Sequence, residues 1–278
     1  MTKRSHGKMR PRGPATGRPE RGAGPRVASH ERLVVGRNAL RELVRFAPDR
    51  LVRVLVADGR SGEKGELLAA VEDAGVAVEV RSFEELTRLA ETDSHQGFVA
   101  VVTERKRPDL ASFLADSEAR PEGVVLVLDE INDPQNLGAI LRAAECFGAQ
   151  GVIMSRNRGT GITPVVTKAS AGASELVTVV TVSNVADAVR KLKEAQFWIV
   201  AADSVEGGGE LGTFEFPERS VIIMGSEGRG VQRLLRDLSD FRVRIPMVGR
   251  IDSLNVAQAT AVFLHAFRTS RQSCRQGA

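Results

Sequence analysis

The chain has two cysteines and four histidines in 278 residues. Cys146 and Cys274 lie far apart and lack metal-ligand spacing, which argues against a disulfide framework and a cysteine zinc site. His6, His30, His95 and His265 form no cluster, so a histidine-ligated metal and a Ser-His-Asp triad both lack support. No apolar run approaches the roughly 20 residues that a membrane-spanning helix needs. The basic N-terminus has no apolar stretch of the kind a secretory signal carries. A reducing cytoplasm fits these absences. Without a histidine base, an arginine, a glutamate and small polar groups suit a reaction driven by substrate positioning and by an already activated donor.

What is present is unevenly placed. Residues 1–30 hold eight Lys or Arg (Lys3, Arg4, Lys8, Arg10, Arg12, Arg18, Arg21 and Arg26) against Glu20 alone, whereas the whole chain is only +4. The rest of the chain is therefore net negative, and the high isoelectric point belongs to the tail. With Gly and Pro interleaved and few apolar residues, residues 1–30 are expected to be a disordered basic tail. It reads equally as a counterion-releasing arm for nucleic acid or as a solubilising leader.

The length suits two modest domains. Residues 31–104 alternate helical patterns (NALRELVRF, ELLAAVEDAG, FEELTRLAE) with short β-branched runs (LVRVLVAD, VAVEVRS, GFVAVVTE), which predicts a small α/β domain. Residues 105–123 are charged and contain Pro108 and Pro121, reading as a linker with a helical turn in LASFLA. In residues 124–278 the runs VVLVLDEI, GVIMS, LVTVVTV, FWIVAAD, VIIMG and RVRIPM are apolar at nearly every position, as in a parallel sheet covered on both faces. Helical patterns fall between most of them, so an open, doubly wound α/β domain is expected.

Three segments in that half break from hydrophobic runs into glycines and small polar residues. In the first, Asp133-Pro134 starts a helix, because an Asx side chain caps free N–H groups and proline tolerates the first helical position. Asn136, Gly138 and Arg142 follow. Gly138 weakens the helix but leaves open space beside the Arg142 guanidinium; the plainer reading pairs Arg142 with Glu145 at i, i+3. In the second, strand VIIMG runs into SEGRG, whose glycines let backbone approach a ligand closely. It is neither a dinucleotide fingerprint nor a P-loop, because the glycine spacing is wrong and no Gly-Lys-Ser/Thr follows. Glu227 in it can hold a hydroxyl or an arginine, or be a solvated loop carboxylate. In the third, RIPMVGRIDSLN leads into a final helix that Ser253 is placed to cap, with Asn255 in its first turn and Val256, Ala259, Phe263 and Phe267 packing inward. All three segments fall at the C-terminal ends of strands, where α/β sheets collect their ligands. His265 reads as a packing or boundary histidine.

Taken together, N-x-G-x-x-x-R at Asn136 to Arg142, G-x-E-x-x-G at Gly225 to Gly230 and P-x-x-G-x-x-x-S-L-N at Pro246 to Asn255 resemble the three motifs of the SpoU-type (TrmH-like) RNA ribose 2′-O-methyltransferases of the SPOUT superfamily. The resemblance spans roughly Leu33 to Arg268 and includes PVVTKASAGASE (Pro164 to Glu175) and HQGFVA (His95 to Ala100). It implies a C-terminal domain tied in a deep trefoil knot, an exception to the rule against knotted chains. S-adenosylmethionine is implied in that knot, against Met224, Gly225, Ile245, Ser253, Leu254 and Asn255. The small domain resembles an RNA-binding fold of some ribosomal proteins, and a homodimer is implied. Arg142 is implied as the catalytic group beside the ribose 2′-hydroxyl, with Asn136, Glu227, Ser253 and Asn255 positioning it, the ribose and the cofactor. Arginine's high pKa favours orientation and electrostatics over a free base.

Within the family, HQGFVA and the small domain look most like the branch acting on a guanosine of large-subunit (23S) ribosomal RNA. A transfer-RNA substrate, or a nearby ribosomal nucleotide whose methylation confers antibiotic resistance, is the alternative. The rival from another class is a non-catalytic RNA-binding ribosome-assembly factor, which the intact arginine and Ser-Leu-Asn motif oppose. A Rossmann-type nucleotide-dependent enzyme is disfavoured by the absent fingerprint.

Overall fold

The computed structural model describes residues 28, 30–58, 65–203 and 208–276. The expected disordered tail lies, apart from residues 28 and 30, outside the described residues. Two sheets organise the rest. The smaller has strands β1 (Glu31–Val35), β2 (Leu51–Ala57), β3 (Ala77–Arg81) and β4 (Phe98–Thr103) in the order β1-β4-β2-β3. β4 runs antiparallel to both β1 and β2, while β2 and β3 are parallel. Helices α1 (Arg37–Phe46), α2 (Gly65–Asp73) and α3 (Phe83–Ala90) connect these strands. α3 begins with a capping box: Ser82 accepts from the Glu85 N–H, and the Glu85 carboxylate accepts from the Ser82 N–H. β1 has no counterpart among the sequence-predicted elements. It is five residues long, and two of those are charged, so hydrophobic patterning does not mark it.

The segment 105–123 holds more than a turn. Asp109 caps a nine-residue helix, α4 (Leu110–Glu118), through the Ser112 N–H at 2.8 Å. Phe113 on α4 is buried in the second sheet's core.

The larger sheet has seven strands: β5 (Gly123–Leu128), β6 (Gly151–Ser155), β7 (Val179–Val182), β8 (Trp198–Ala202), β9 (Gly209–Glu210), β10 (Arg219–Met224) and β11 (Phe241–Arg244). Their order is β7-β6-β5-β10-β8-β11-β9, and every pair is parallel. Helices α5 (Pro134–Cys146), α6 (Pro164–Ala169), α7 (Val185–Glu194), α8 (Arg233–Leu238) and α9 (Val256–Gln276) cover both faces. Alternation along β5 shows why its run is wholly apolar. Val124, Leu126 and Leu128 enter a core with residues of α5 and α9, while Val125 and Val127 enter another with residues of α4, α7 and α8. Full burial of each such side chain contributes roughly 1.5–3 kcal/mol. The apolar runs thus give the parallel, doubly covered sheet their pattern predicts. The edge strand β9 and the helix α6, both short, are additions to that pattern.

A buried carboxylate joins the two sheets. The Glu175 side chain is fully buried and pairs with Arg32 on β1 and with Arg50, whose Nη2 lies 3.0 Å from Oε2. Arg105 Nη1 donates to the carbonyls of Glu175, Leu176 and Val177. Nearby, Gly172 at φ +92° lets the chain pass against α1, since a Cβ there would lie 2.9 Å from the Ala39 Cα. The PVVTKASAGASE stretch therefore serves as the seam between the sheets.

Candidate active site

The C-terminal ends of β8, β10 and β11 open on a cavity of about 580 Å³, within the size range of small-molecule sites. Met224, Gly225, Ile245, Ser253 and Leu254 all line it, together with Glu227. Val243, Val256 and Phe263 supply apolar wall, while Asp203, Ser226, Arg229, Arg236 and Asp252 supply polar groups. A second, smaller cavity of about 360 Å³ adjoins it around Asn136, Ser226, Glu227 and Arg229.

Between the two cavities, one residue from each sequence segment meets the others. Asn136 Nδ2 donates to Glu227 Oε1 at 2.9 Å, Asn255 Nδ2 donates to the same oxygen at 2.9 Å, and Asn255 Nδ2 also donates to Asn136 Oδ1 at 2.8 Å. The triangle closes across 119 residues of sequence. Each corner is held by its own local structure. Asn136 sits in the first turn of α5, behind the Asp133 cap that accepts from the Gln135 N–H at 2.8 Å. Glu227 sits in a tight turn closed by the Gly230 N–H to the Ser226 carbonyl, with Gly228 and Gly230 at positive φ.

Asn255 is the third corner, and it also caps α9, its Oδ1 accepting from the N–H groups of Ala257 and Gln258. This corrects the expectation that Ser253 caps that helix. Asn255 is the residue directly before the first helical one, so its side chain reaches the free N–H groups. Ser253 is instead exposed and lines the cavity.

Gly225 fixes the shape of the cavity floor. A Cβ there would fall 2.0 Å from the Gly230 carbonyl carbon, so the chain leaving β10 and the chain returning after the turn pass as closely as backbone permits. Asp129, at the end of β5, pins the far side of this turn. Its two carboxylate oxygens accept from the Gln232 N–H and Nε2, both at 2.8 Å. Burial raises the Asp129 pKa above the usual carboxylate range, and the Gln232 hydrogen bonds oppose that rise. Sequence reasoning passed over Asp129, although its place at the C-terminal end of a central parallel strand is a signal that was available.

Arg142 is not brought to this cluster. It lies six residues beyond Asn136 on α5, about 9 Å along the helix axis, is exposed, and lines neither cavity. No ion pair links it to Glu145 among the described residues, so the helix-surface pair does not form. Nor does Gly138 leave open space. A Cβ at Gly138 would lie 2.4 Å from the Ala169 Cβ and 2.9 Å from the Ser170 nitrogen, so this glycine serves the close packing of α5 on α6.

Neither His95 nor His265 lines either cavity. His265 is exposed and meets the Phe147 ring edge-on. His95 is wholly buried under Phe83, with Nδ1 accepting from the Gly97 N–H and Nε2 bonded to Thr87 Oγ1. That pattern fixes a neutral ring protonated on Nε2. No group of three or more metal-ligating side chains occurs among the described residues. No described helix is long and apolar enough to cross a membrane.

The fold, the three-cornered cluster and the cavity have a known setting. Residues 123–265 match the SpoU rRNA Methylase family, and residues 33–108 match the family described as RNA 2′-O ribose methyltransferase substrate binding. The chain belongs to the SpoU rRNA methylase family. A 23S rRNA (guanosine-2′-O-)-methyltransferase RlmB from Shewanella oneidensis is 36% identical over 245 residues, covering 87% of this chain and 98% of that protein. The Bordetella pertussis protein of the same name is 35% identical over 241 residues, 86% of this chain and 98% of its own. Among solved structures, the SpoU methyltransferase AviRb of Streptomyces viridochromogenes, in complex with AdoMet, superposes with a TM-score of 0.70. It is 23% identical and covers 88% of this chain and 92% of its own, a likeness of fold. SpoU membership makes the chain an RNA ribose 2′-O-methyltransferase with an N-terminal substrate-binding domain.

Proposed function

We propose that this SpoU methylase transfers the methyl group of S-adenosylmethionine to the ribose 2′-hydroxyl of a guanosine in 23S ribosomal RNA, in the cytoplasm. The observation that carries the proposal is the Asn136–Glu227–Asn255 triangle, whose Glu227 lines a cavity of matching size. The two RlmB relatives, which share over a third of their residues with this chain along nearly their whole length, support the substrate.

The cavity suits the donor. Close backbone approach at Gly225, the apolar side chains of Met224, Ile245 and Leu254, and the hydroxyls of Ser226 and Ser253 match a flat base joined to a polar, charged tail. S-adenosylmethionine, when bound, supplies a sulfonium-activated methyl group. The protein's own task is to hold the 2′-hydroxyl in line and stabilise the oxygen as its proton leaves. In this reading Glu227, with Oε1 fixed by two amide donors, and Ser253 orient ribose and donor, while Asn136 and Asn255 keep Glu227 in place. Preorganised groups of this kind supply several kcal/mol of barrier reduction without a tuned base.

Arg142 is the proposed catalytic group, and its position outside its own cavity argues for a homodimer in which it serves the partner's site. The loop after β11 exposes Met247, Val248, Ile251 and Leu254, with Val248 and Ile251 the most exposed large apolar residues of the described chain. A self-complementary contact would cover them. The deep trefoil knot belongs to the same reading. Insertion of β10 between β5 and β8, and the return of α9 onto α5, support it. The division into residues 31–104, 105–123 and 124–278 is part of the same proposal; the two separate sheets support its first and last units, while α4 of the middle segment packs Phe113 on the larger sheet.

The test is Arg142→Ala. Methyl transfer from labelled cofactor to 23S RNA falls by at least 10²-fold, on the scale of losing one transition-state donor, with cofactor affinity unchanged by calorimetry. Mixing it with a Ser253→Ala, Asn255→Ala protein restores part of the activity if the arginine acts across the dimer. Full activity of Arg142→Ala would remove its assigned role.

A further inference from the structure

Away from the cofactor cavity, the seam between the two sheets holds a small basic pocket of about 190 Å³. Arg32 from β1, Arg105 and Arg107 from the segment after β4, and Arg156 from the loop after β6 line it, with Glu104 as its one carboxylate. Two of these arginines are engaged: Arg32 pairs with Glu175, and Arg105 donates to the backbone carbonyls of residues 175–177. The side chains of Arg107 and Arg156 have no hydrogen bond or ion pair among the described residues, Arg156 being bonded only through its backbone N–H to the Val182 carbonyl. Arg107 is nonetheless half-buried, and burial, then the neighbouring charge of Arg32, pull its pKa down from the usual value. A guanidinium kept among like charges at this cost in solvation suits an anion that arrives from outside.

We propose that this pocket holds a backbone phosphate of the RNA substrate, gripped by Arg107 and Arg156 and walled by Arg32 and Arg105. The proposal rests on the RNA-methyltransferase reading and extends it to a site that the three motifs do not contain. The pocket is too small for a nucleoside but fits a phosphate group, and forked guanidinium donors match phosphate oxygens. Its position also fits. β6 lies two strands from β10, about 10 Å at ordinary strand spacing, so one stretch of RNA spans the pocket and the cavity. The loop after β6 is tied to the active-site side, with the Thr160 N–H donating to the Ile131 carbonyl at 3.0 Å, just before α5. Because its residues come from both sheets, a phosphate seated there sets the register of the RNA across the seam.

The experiment measures equilibrium binding of a full-length 23S ribosomal RNA transcript by the full chain between 50 and 300 mM salt, alongside methyl transfer. For Arg107→Gln, Arg156→Gln, the binding constant weakens by roughly tenfold and the slope of log K against log salt falls by about one, the loss of one phosphate contact. KM rises correspondingly, with kcat and cofactor affinity unchanged. Arg107→Lys recovers part of the loss by keeping charge without the fork. Arg190→Gln, Lys191→Gln on the exposed face of α7 removes the same charge and leaves slope and KM as they were. Equal melting temperatures exclude a folding effect. An unchanged slope and KM in the Arg107, Arg156 variant overturns the pocket, as does an equal loss in the α7 variant. If the unaltered protein binds the transcript but methylates no RNA, the enzymatic reading fails, and the salt slope still decides the pocket.

Discussion

Two glutamates sit at the centres of two networks, and their surroundings separate their work. Glu175 is sealed at the seam between the sheets and held by the charges of Arg32 and Arg50. Glu227 stands exposed at the cavity edge, held by the neutral amides of Asn136 and Asn255. Arginine partners neutralise a carboxylate and so permit its burial; amide partners fix its direction but leave its charge intact. The first arrangement joins elements of structure. The second presents an oriented negative charge to a ligand. Sequence distance does not tell them apart, since each network includes a link of more than a hundred positions, Arg32 to Glu175 and Asn136 to Asn255.

The contrast can be broken by experiment. Glu175→Gln leaves two partly buried guanidiniums without their counter-charge and is expected to cost about 3 kcal/mol of stability, read as a fall in denaturation midpoint with kcat of the folded fraction retained. Glu227→Ala is expected to do the reverse. Methyl transfer falls about 10²-fold through lost positioning, on the scale of a 1 Å misplacement, while the denaturation midpoint barely moves. If Glu227→Ala unfolds the protein, or Glu175→Gln abolishes transfer in a stable one, the division of labour is wrong.

The smallest effect belongs to pH. Burial holds the His95 imidazole below its usual range, against an opposing pull from Asp93. A depressed pKa contributes stability above the unfolded value of about 6.5, and that contribution is lost as pH falls through the folded value. The melting temperature of the small sheet's transition therefore drops between pH 7.5 and 5.5. A His95→Gln protein shows a flatter profile over the same interval.

Much of this architecture was legible in the sequence because long elements carry a strong period. The wholly apolar β5 and the stripe of α9 state their environment plainly. Short elements escaped: two of the five residues of β1 are charged, and α4 hid in a charged segment despite its Asp109 cap and its one anchoring aromatic, Phe113. The site was legible as three glycine-bearing loops at strand ends. Its internal geometry was not. Nothing in the spacing of Ser253 and Asn255 decides which of them caps α9, because both are good caps and the answer depends on where the helix starts. Asp129 was legible by its place at a strand end, but its partner, Gln232, was not, because it lies 103 residues away.

The sequence by itself determined a doubly covered parallel sheet and the motifs of SpoU methyltransferases, because period and motif are local properties. Tertiary structure alone decided that Asn136, Glu227 and Asn255 close a triangle, that Gly138 packs against α6 instead of making room for Arg142, and that four arginines gather at the seam. Those outcomes depend on how distant strands and helices pack, and packing has no local signature in the chain.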